Sequence, residues 1–237
     1  MRPGESLGDA YQRATMYSRP GGPVVRPASI RRPGRRIELP PPVTEGGEGL
    51  WRTVLARRSL RDFDPSQPLT RAALSQLLWA TQGLTLNPED DRFRASPSAG
   101  ALHPLDTYLV LNRVSGLPAG IAQYDVRSPG LELVAEGDFS QEVAAAALEQ
   151  EIAADCGVVF IWVAVPGRSK PKYRDRAHRY IYLDAGHVGA QLHLAAVALG
   201  LGCCAIGAFL DDEVNALLGV DGEAATAVYL SVVGHVR

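Results

Sequence analysis

Residues 57–61 read Arg57-Arg58-Ser59-Leu60-Arg61, three guanidiniums and a hydroxyl within five positions. Phosphate recognition needs several donors in a small volume, and a guanidinium offers a planar fork matched to phosphate oxygens. The same run at a helix end also serves as a solvated cap that complements the helix dipole. Residue types alone support both readings. Lys170 and Lys172 are the only lysines in a chain with twenty-two arginines, and they flank Pro171 just ahead of Tyr173. Lysine, unlike arginine, gives up its proton when partly buried, which makes either of the two a usable general base. A surface loop is the competing reading of that pair.

Other motifs fall away on inspection. Gly200-Leu201-Gly202-Cys203-Cys204-Ala205-Ile206-Gly207 has glycines at intervals like those of a dinucleotide fingerprint, yet they follow a helix and precede a strand, the reverse of a Rossmann turn. What remains is a small-residue turn whose backbone N–H groups can lie close to a flat ligand. His103, His178, His187, His193 and His235 form no HExxH, and His187 and His193 do not share a helical face, so each reads as structural and no metal site is expected. Cys156, Cys203 and Cys204 lack the spacing of a zinc site or a disulfide framework, and they read as small core residues in a reducing cytoplasm.

The elements that must position these groups follow from periodicity. Leu50, Val54 and Leu55 fall on one face of a helix running into Arg57. Thr70 caps a second helix with the stripe Leu74, Leu77, Leu78, Thr81, and Gly83 stands where a left-handed cap belongs. A polar loop at Asn87–Asp91 and the turn-forming Ser96–Pro104 lead to a strand at Thr107–Leu111, then to a hairpin of Gly120–Asp125 and Leu131–Ala135. An alanine-rich helix is predicted at 140–152, and the apolar run Gly157–Val165 predicts a strand covered on both faces. Residues Arg179–Leu199 form a long helix that is apolar nearly all round and is expected to be central and buried. A short strand or turn at Cys204–Phe209, an aspartate-capped helix at Asp211–Leu218 and a strand at Ala227–His235 complete the chain. Strands and helices without regular βαβ spacing predict an α+β fold with a mixed central sheet flanked by helices.

Composition sets the outer limits. Hydrophobic residues make up 46% of 237, enough for a substantial core without metal or disulfides. Residues 1–42 carry eight arginines against three acids, whereas the remainder carries sixteen basic residues against twenty-three acids, which argues against nucleic acid as a partner. Residues 1–48, broken by Arg19-Pro20-Gly21-Gly22-Pro23 and Leu39-Pro40-Pro41-Pro42, read as a poorly ordered arm before a domain at 49–237. The opening residues contain no apolar h-region and no stretch reaches the roughly eighteen apolar residues of a membrane span, so neither secretion nor membrane insertion is expected.

Taken in order, Arg57–Phe63, the helix ending Gln76-Leu77-Leu78-Trp79-Ala80-Thr81-Gln82-Gly83, the loop Pro97–Pro104, Lys172-Tyr173-Arg174-Asp175-Arg176 and the block Asp184–Phe209 resemble the nitroreductase fold, and within it the SagB-type dehydrogenases. The resemblance covers roughly residues 50–237, and Ala10-Tyr11 to Ser18-Arg19 resembles the leader of these proteins. It implies an intertwined homodimer with FMN at the interface. It implies that Arg57, Arg58, Ser59 and Arg61 meet the phosphate, ribityl chain and pyrimidine edge, with Arg237 completing the phosphate site. Pro97, Ser98, Ala99 and Gly100 would come from the other subunit to border the isoalloxazine, while Ala205, Ile206 and Gly207 line the ring near N5 and O4. The implied reaction oxidises a thiazoline or oxazoline in a peptide to the azole, with Lys172-Tyr173 serving proton transfer and hydride passing to flavin N5. It leaves room for a cyclodehydratase partner. A generic NAD(P)H-dependent nitroreductase or flavin reductase acting on a small molecule, and a flavin-lacking peptide- or partner-binding protein, are the alternatives.

Overall fold

Every residue of Val158–Ala164 except Ala164 is β-branched or aromatic, and all seven are buried in the computed structural model, which describes residues 2, 4–17, 34–86, 90 and 92–237. This strand (β5) lies inside a seven-stranded sheet of order β1-β4-β3-β2-β5-β7-β6, where β1 is Arg35–Glu38, β2 Leu105–Leu111, β3 Gly120–Asp125, β4 Gly130–Glu136, β6 Gly202–Ile206 and β7 Thr226–Gly234. Every pairing in it is antiparallel, a correction to the mixed sheet expected from the irregular strand spacing. The predicted hairpin is present as β3 and β4, and the α+β class holds.

Alternation along β5 divides the core. Phe160 and Trp162 face α3 (Arg71–Gln82) and α7 (Ala177–Ala198), packing with Leu74, Leu78, Ile181 and Leu192. Val159 and Ile161 face the opposite layer, formed by α4 (Ser140–Ala146), α5 (Ile152–Asp155) and α8 (Asp211–Leu218). The sheet is thus covered on both faces, and its central strand has no polar alternation to show. The closest approach is at Gly189 of α7, where an added Cβ would lie 2.6 Å from Cε1 of Tyr229 on β7.

Four expectations change. The helix predicted at 140–152 is two, because Leu148 and Glu149 take φ of 59° and 57°, while the Leu210 N–H and the Gln150 amide bind the freed carbonyls of Ala146 and Ala147, each at 2.7 Å. Gly83 is extended at φ −63°, ψ 152°; it is small because a Cβ would meet Trp79 Cδ1 at 2.3 Å, so space and not handedness decides the residue. Helix α7 is buried along Ile181, Asp184, Ala185, Val188, Leu192 and Ala196, but Leu183, Gly186, His187 and Ala190 are exposed, so its second apolar face is not covered within one chain. The N-cap of α8 is Leu210; Asp211 instead accepts the Tyr17 N–H at 3.0 Å.

Residues 1–48 hold α1 (Leu7–Thr15) and β1, which pairs with β4 at the sheet edge, and α2 (Leu50–Ala56) opens the next segment. Neither α1 nor β1 was expected from so Pro- and Arg-rich a stretch. The break at Arg19–Pro23, the Ser18-Arg19 end of the leader and most of the loop Asn87–Asp91 lie outside the described residues. Among the described residues no helix is long and apolar enough to cross a membrane, and no group of three or more His, Cys, Asp or Glu could hold a metal ion.

Burial raises the Asp211 carboxyl from 3.8 to about 6, against the opposing effect of the Tyr17 N–H. The folded protein therefore binds more protons than the unfolded chain across that window, and stability falls as pH rises from about 4 to about 6. Asp211→Asn keeps an acceptor for Tyr17 without the charge. Urea melts should find it more stable than the wild type above pH 6, with the difference vanishing below about pH 4.

Candidate active site

Two groups of candidate residues form, both hung on α7. The first follows α2. Its loop is stitched to β6 and the chain end: Leu60 N–H donates to Cys203 O at 3.0 Å, Asp64 N–H to His235 O at 2.9 Å, and Arg237 N–H to Asp62 O at 3.1 Å. Phe63, 1% exposed, is the anchor under this loop, and Gly202 and Gly234 are small where they pass its ring, since a Cβ on either would come within 3.0–3.2 Å of it. This anchoring holds Arg57, Ser59 and Arg61 beside Cys203, Cys204 and Ala205. Ser59 and the charge of Arg61 both act to lower the pKa of the Cys204 thiol, and the charge of Arg57 acts on Cys203 and His193.

Two of the arginines are already engaged. Arg58 folds back onto Leu55 O at 2.9 Å and Arg57 O at 2.8 Å, closing the C-terminal end of α2, and Arg237 pairs with Asp62 at 2.9 Å. Ala205 is half-buried, Ile206 buried and Gly207 exposed. His193, read as structural from sequence, belongs to this group: its Nδ1 is buried with no partner among the described residues, and burial first, then Arg57, lowers its pKa so that it is neutral.

The second group is the loop Pro97–Gly100 with Lys172 and Tyr173. Asp184, 4% exposed on α7, accepts Ser98 Oγ at 2.6 Å and the Ala99 N–H at 3.1 Å, and Ser98 Oγ in turn accepts the His103 N–H at 3.0 Å. About two turns further along α7, Gln191 donates to Ala95 O at 2.9 Å and accepts from Ser96 Oγ. The loop so held turns with φ of 64° at Gly100, 54° at Ala101 and 42° at His103. The Lys172–Tyr173 pair lies directly over it: a Cβ on Gly100 would stand 2.5 Å from Tyr173 Oη and 2.6 Å from Lys172 Nζ. The ammonium is 5.3 Å from the centre of the Tyr173 ring, and that ring packs on Tyr180 with centroids 4.6 Å apart. The two lysines separate here. Lys170 is paired with Asp9 at 2.7 Å, while Lys172 has no ion-pair partner among the described residues.

Asp184 and His193 are nine residues apart, which at 1.5 Å per residue puts the two groups about 13 Å from one another along α7. Sequence reading missed Asp184 as the holder of the loop, since only the fold brings it to Ser98. A cleft of about 540 Å³ lies to one side, lined by Arg94, Gln123, Tyr124, Glu132 and an Arg168–Asp106 pair at 2.7 Å. It contains none of the predicted cofactor-binding or catalytic residues.

Three comparisons bear on these groups. The family model described as "Nitroreductase family" matches residues 54–235. A nitroreductase-family protein of Methanocaldococcus jannaschii is 36% identical over 168 residues, covering 70% of this chain and 82% of that protein. The trifolitoxin-processing protein TfxB of Rhizobium leguminosarum is 34% identical over 113 residues, 46% of this chain and 30% of that protein. Among solved structures, a nitroreductase-family protein from Anabaena variabilis superposes with a TM-score of 0.74 at 30% identity, over 86% of this chain but only 42% of that one. A chain of the E. coli microcin synthetase McbBCD complex, solved with truncated pro-MccB17 bound, does so at 0.67 over 98% of this chain and 88% of that one; at 19% identity this is a likeness of fold.

The cysteines are built into the core. Burial pushes the Cys156 thiol up to about 12, and burial likewise raises Cys203 and Cys204, the latter against Arg61 and Ser59. At pH 8 the native protein should leave all three thiols unmodified by iodoacetamide, with full alkylation only after unfolding, as mass spectrometry would read.

Proposed function

The chain belongs to the nitroreductase family of oxidoreductases, and from that premise we propose that it is an FMN-dependent dehydrogenase of the SagB type that oxidises a thiazoline or oxazoline in a peptide to the azole. The observation that carries this reading is the Lys172–Tyr173 pair standing over Gly100, on a loop pinned by the buried carboxylate of Asp184.

The donor set fits a phosphate-bearing flavin. Arg57, Ser59 and Arg61 lie on the loop stitched to β6 at Cys203, His193 has a buried Nδ1 without a partner among the described residues, and the only carboxylate in the run, Asp62, is turned to Arg237. Arg57, Ser59 and Arg61 would hold the phosphate and ribityl chain, with Arg58 and Arg237 available on exchange of their present partners. Ala205, Ile206 and Gly207 present the backbone on which the ring would lie, with Pro97, Ser98, Ala99 and Gly100 bordering it. Bound FMN supplies the two-electron acceptor that takes hydride from the substrate carbon. Lys172 Nζ, without an ion-pair partner among the described residues, would as the neutral amine take the proton from the neighbouring carbon, and Tyr173 Oη beside it would orient that transfer.

Two features support assembly. Leu50, Trp51, Val54 and Leu55 leave an apolar face of α2 in solvent, with Trp51 82% exposed, and Leu183 continues the exposed apolar surface on α7. A second copy covering these faces would bring its own loop and Lys172–Tyr173 towards the arginine group of the first, which the 13 Å offset along α7 keeps apart within one chain. Peptide substrates are favoured by the likeness to the toxin-processing TfxB, and a synthetase partner such as a cyclodehydratase by the likeness in fold to a chain of the McbBCD complex.

A purified yellow protein with a flavin spectrum is the first requirement. Lys172→Ala should then slow oxidation of a thiazoline peptide by roughly 10²–10⁴-fold with flavin content unchanged. A wild type that leaves the thiazoline peptide unoxidised beside brisk NAD(P)H oxidation would assign the chain to the flavin reductases, unchanged thiazoline oxidation in Lys172→Ala would remove Lys172 from the reaction, and a colourless protein that takes up no added FMN would make it a binding protein. Gly100→Ala should act in the same direction: its Cβ displaces Tyr173 Oη and Lys172 Nζ, both flexible ends, so kcat falls about tenfold or more while FMN remains bound.

A further inference from the structure

The segment bearing Lys172 and Tyr173 has little to hold it. It consists of a four-residue helix, α6 (Lys170–Tyr173), and a single 3-10 turn, Arg174–Arg176, and neither contains a buried residue. Between them Arg174 takes φ of 50°, a conformation that side chains with a Cβ rarely adopt. Local hydrogen bonds from the N–H groups of Lys172 and Tyr173 reach only Ser169 O.

The two ends of this segment meet on one carboxylate. Asp9, in the first turn of α1, receives Lys170 Nζ on both oxygens at 2.7 and 2.8 Å and His178 Nε2 at 2.9 Å. Lys170 and His178 are eight residues apart and bracket Lys172–Tyr173. Asp9 is itself fixed by Ser6, the N-cap of α1, whose hydroxyl donates to it at 2.7 Å and accepts its N–H at 3.2 Å. Burial opposes the charge on Asp9, but hydrogen bonds from Lys170, Ser6 and His178 outweigh it and hold the carboxyl well below the ordinary range.

The rest of α1 fits the same purpose. Gly8 lets the helix approach so closely that a Cβ there would lie 2.4 Å from His178 Cδ2 and 3.2 Å from Asp175 O. Gln12 accepts a hydrogen bond from the Tyr182 hydroxyl, and Tyr11 packs against the same ring at 6.2 Å. The chain then runs to Tyr17, which bridges to Leu210. Asp9 engages Lys170, whereas Lys172 has no ion-pair partner among the described residues.

We propose that α1 is a clamp on the segment Lys170–His178 and that Asp9 is a positioning residue for Lys172 and Tyr173, a role that rests on the assignment of that pair to proton transfer. Trypsin cuts after Lys172, Arg174 and Arg176 but not between Lys170 and Pro171, so the segment reports on its own restraint. In the FMN-loaded full chain, Asp9→Asn should speed tryptic cleavage at these three sites about tenfold. It should also lower kcat for a synthetic peptide carrying one thiazoline about tenfold, leaving KM within about twofold and flavin content unchanged. Asp9→Glu should recover part of the loss, and Lys170→Met, which breaks the clamp from the other side, covers the case in which Asp9→Asn does not fold. An unaltered cleavage rate after Lys172, or faster cleavage spread evenly over the chain, overturns the clamp. Faster cleavage confined to residues 172–176, in a protein whose Lys172→Ala variant still oxidises the thiazoline, leaves the clamp standing and removes the catalytic assignment.

Discussion

The packing of α7 on β6 and β7 is the constraint from which the rest follows. A helix can approach a sheet this closely only where its contact residue is small, and Gly189 against the Tyr229 ring meets that condition. With the helix seated there, its other positions are committed along its length. His178 meets α1, Asp184 holds Ser98 and Ala99, Gln191 holds Ala95, and His193 feels the charge of Arg57. A single rigid rod therefore sets the spacing of groups that are as much as ninety residues apart in sequence.

Charge burial reinforces this geometry. An ionised carboxylate at the exposure of Asp184 is costly without donors, so the loop is drawn to it by necessity and not by its own turn propensity alone. Positive φ at three of the four positions from Gly100 to His103 shows that the loop bears conformational cost, and only Gly100 bears it without steric penalty. That is a common arrangement where a backbone must come close to reacting groups.

Much of the scaffold was legible from local rules. Thr70 caps α3 as its position implied, accepting the Ala73 N–H at 3.1 Å, and the unbroken apolar run around Val158 does mark a strand with both faces covered. Long-range satisfaction was not legible. The freed carbonyl of Ala146 at the end of α4 is met by the distant Leu210 N–H, and α1 owes its place to Asp9, Gln12 and Tyr17, whose partners lie more than 160 residues away. For the site, residue types nominated Arg57–Arg61 and Lys172–Tyr173. Which lysine is neutralised by a carboxylate, and that Asp184 and His193 join them, depends on contacts no spacing rule contains.

Strand β1 has its own implication for how the protein can be cut and rebuilt. Its four residues, Arg35-Arg36-Ile37-Glu38, close the sheet on the β4 side, and three of them are charged and exposed while Ile37 is buried. A version trimmed to begin at residue 49 would strip this cover and bare the hydrogen-bonding groups of β4, a longer and more apolar edge open to self-association. The basic arm thus acts as insulation: its arginines guard the sheet against its own kind.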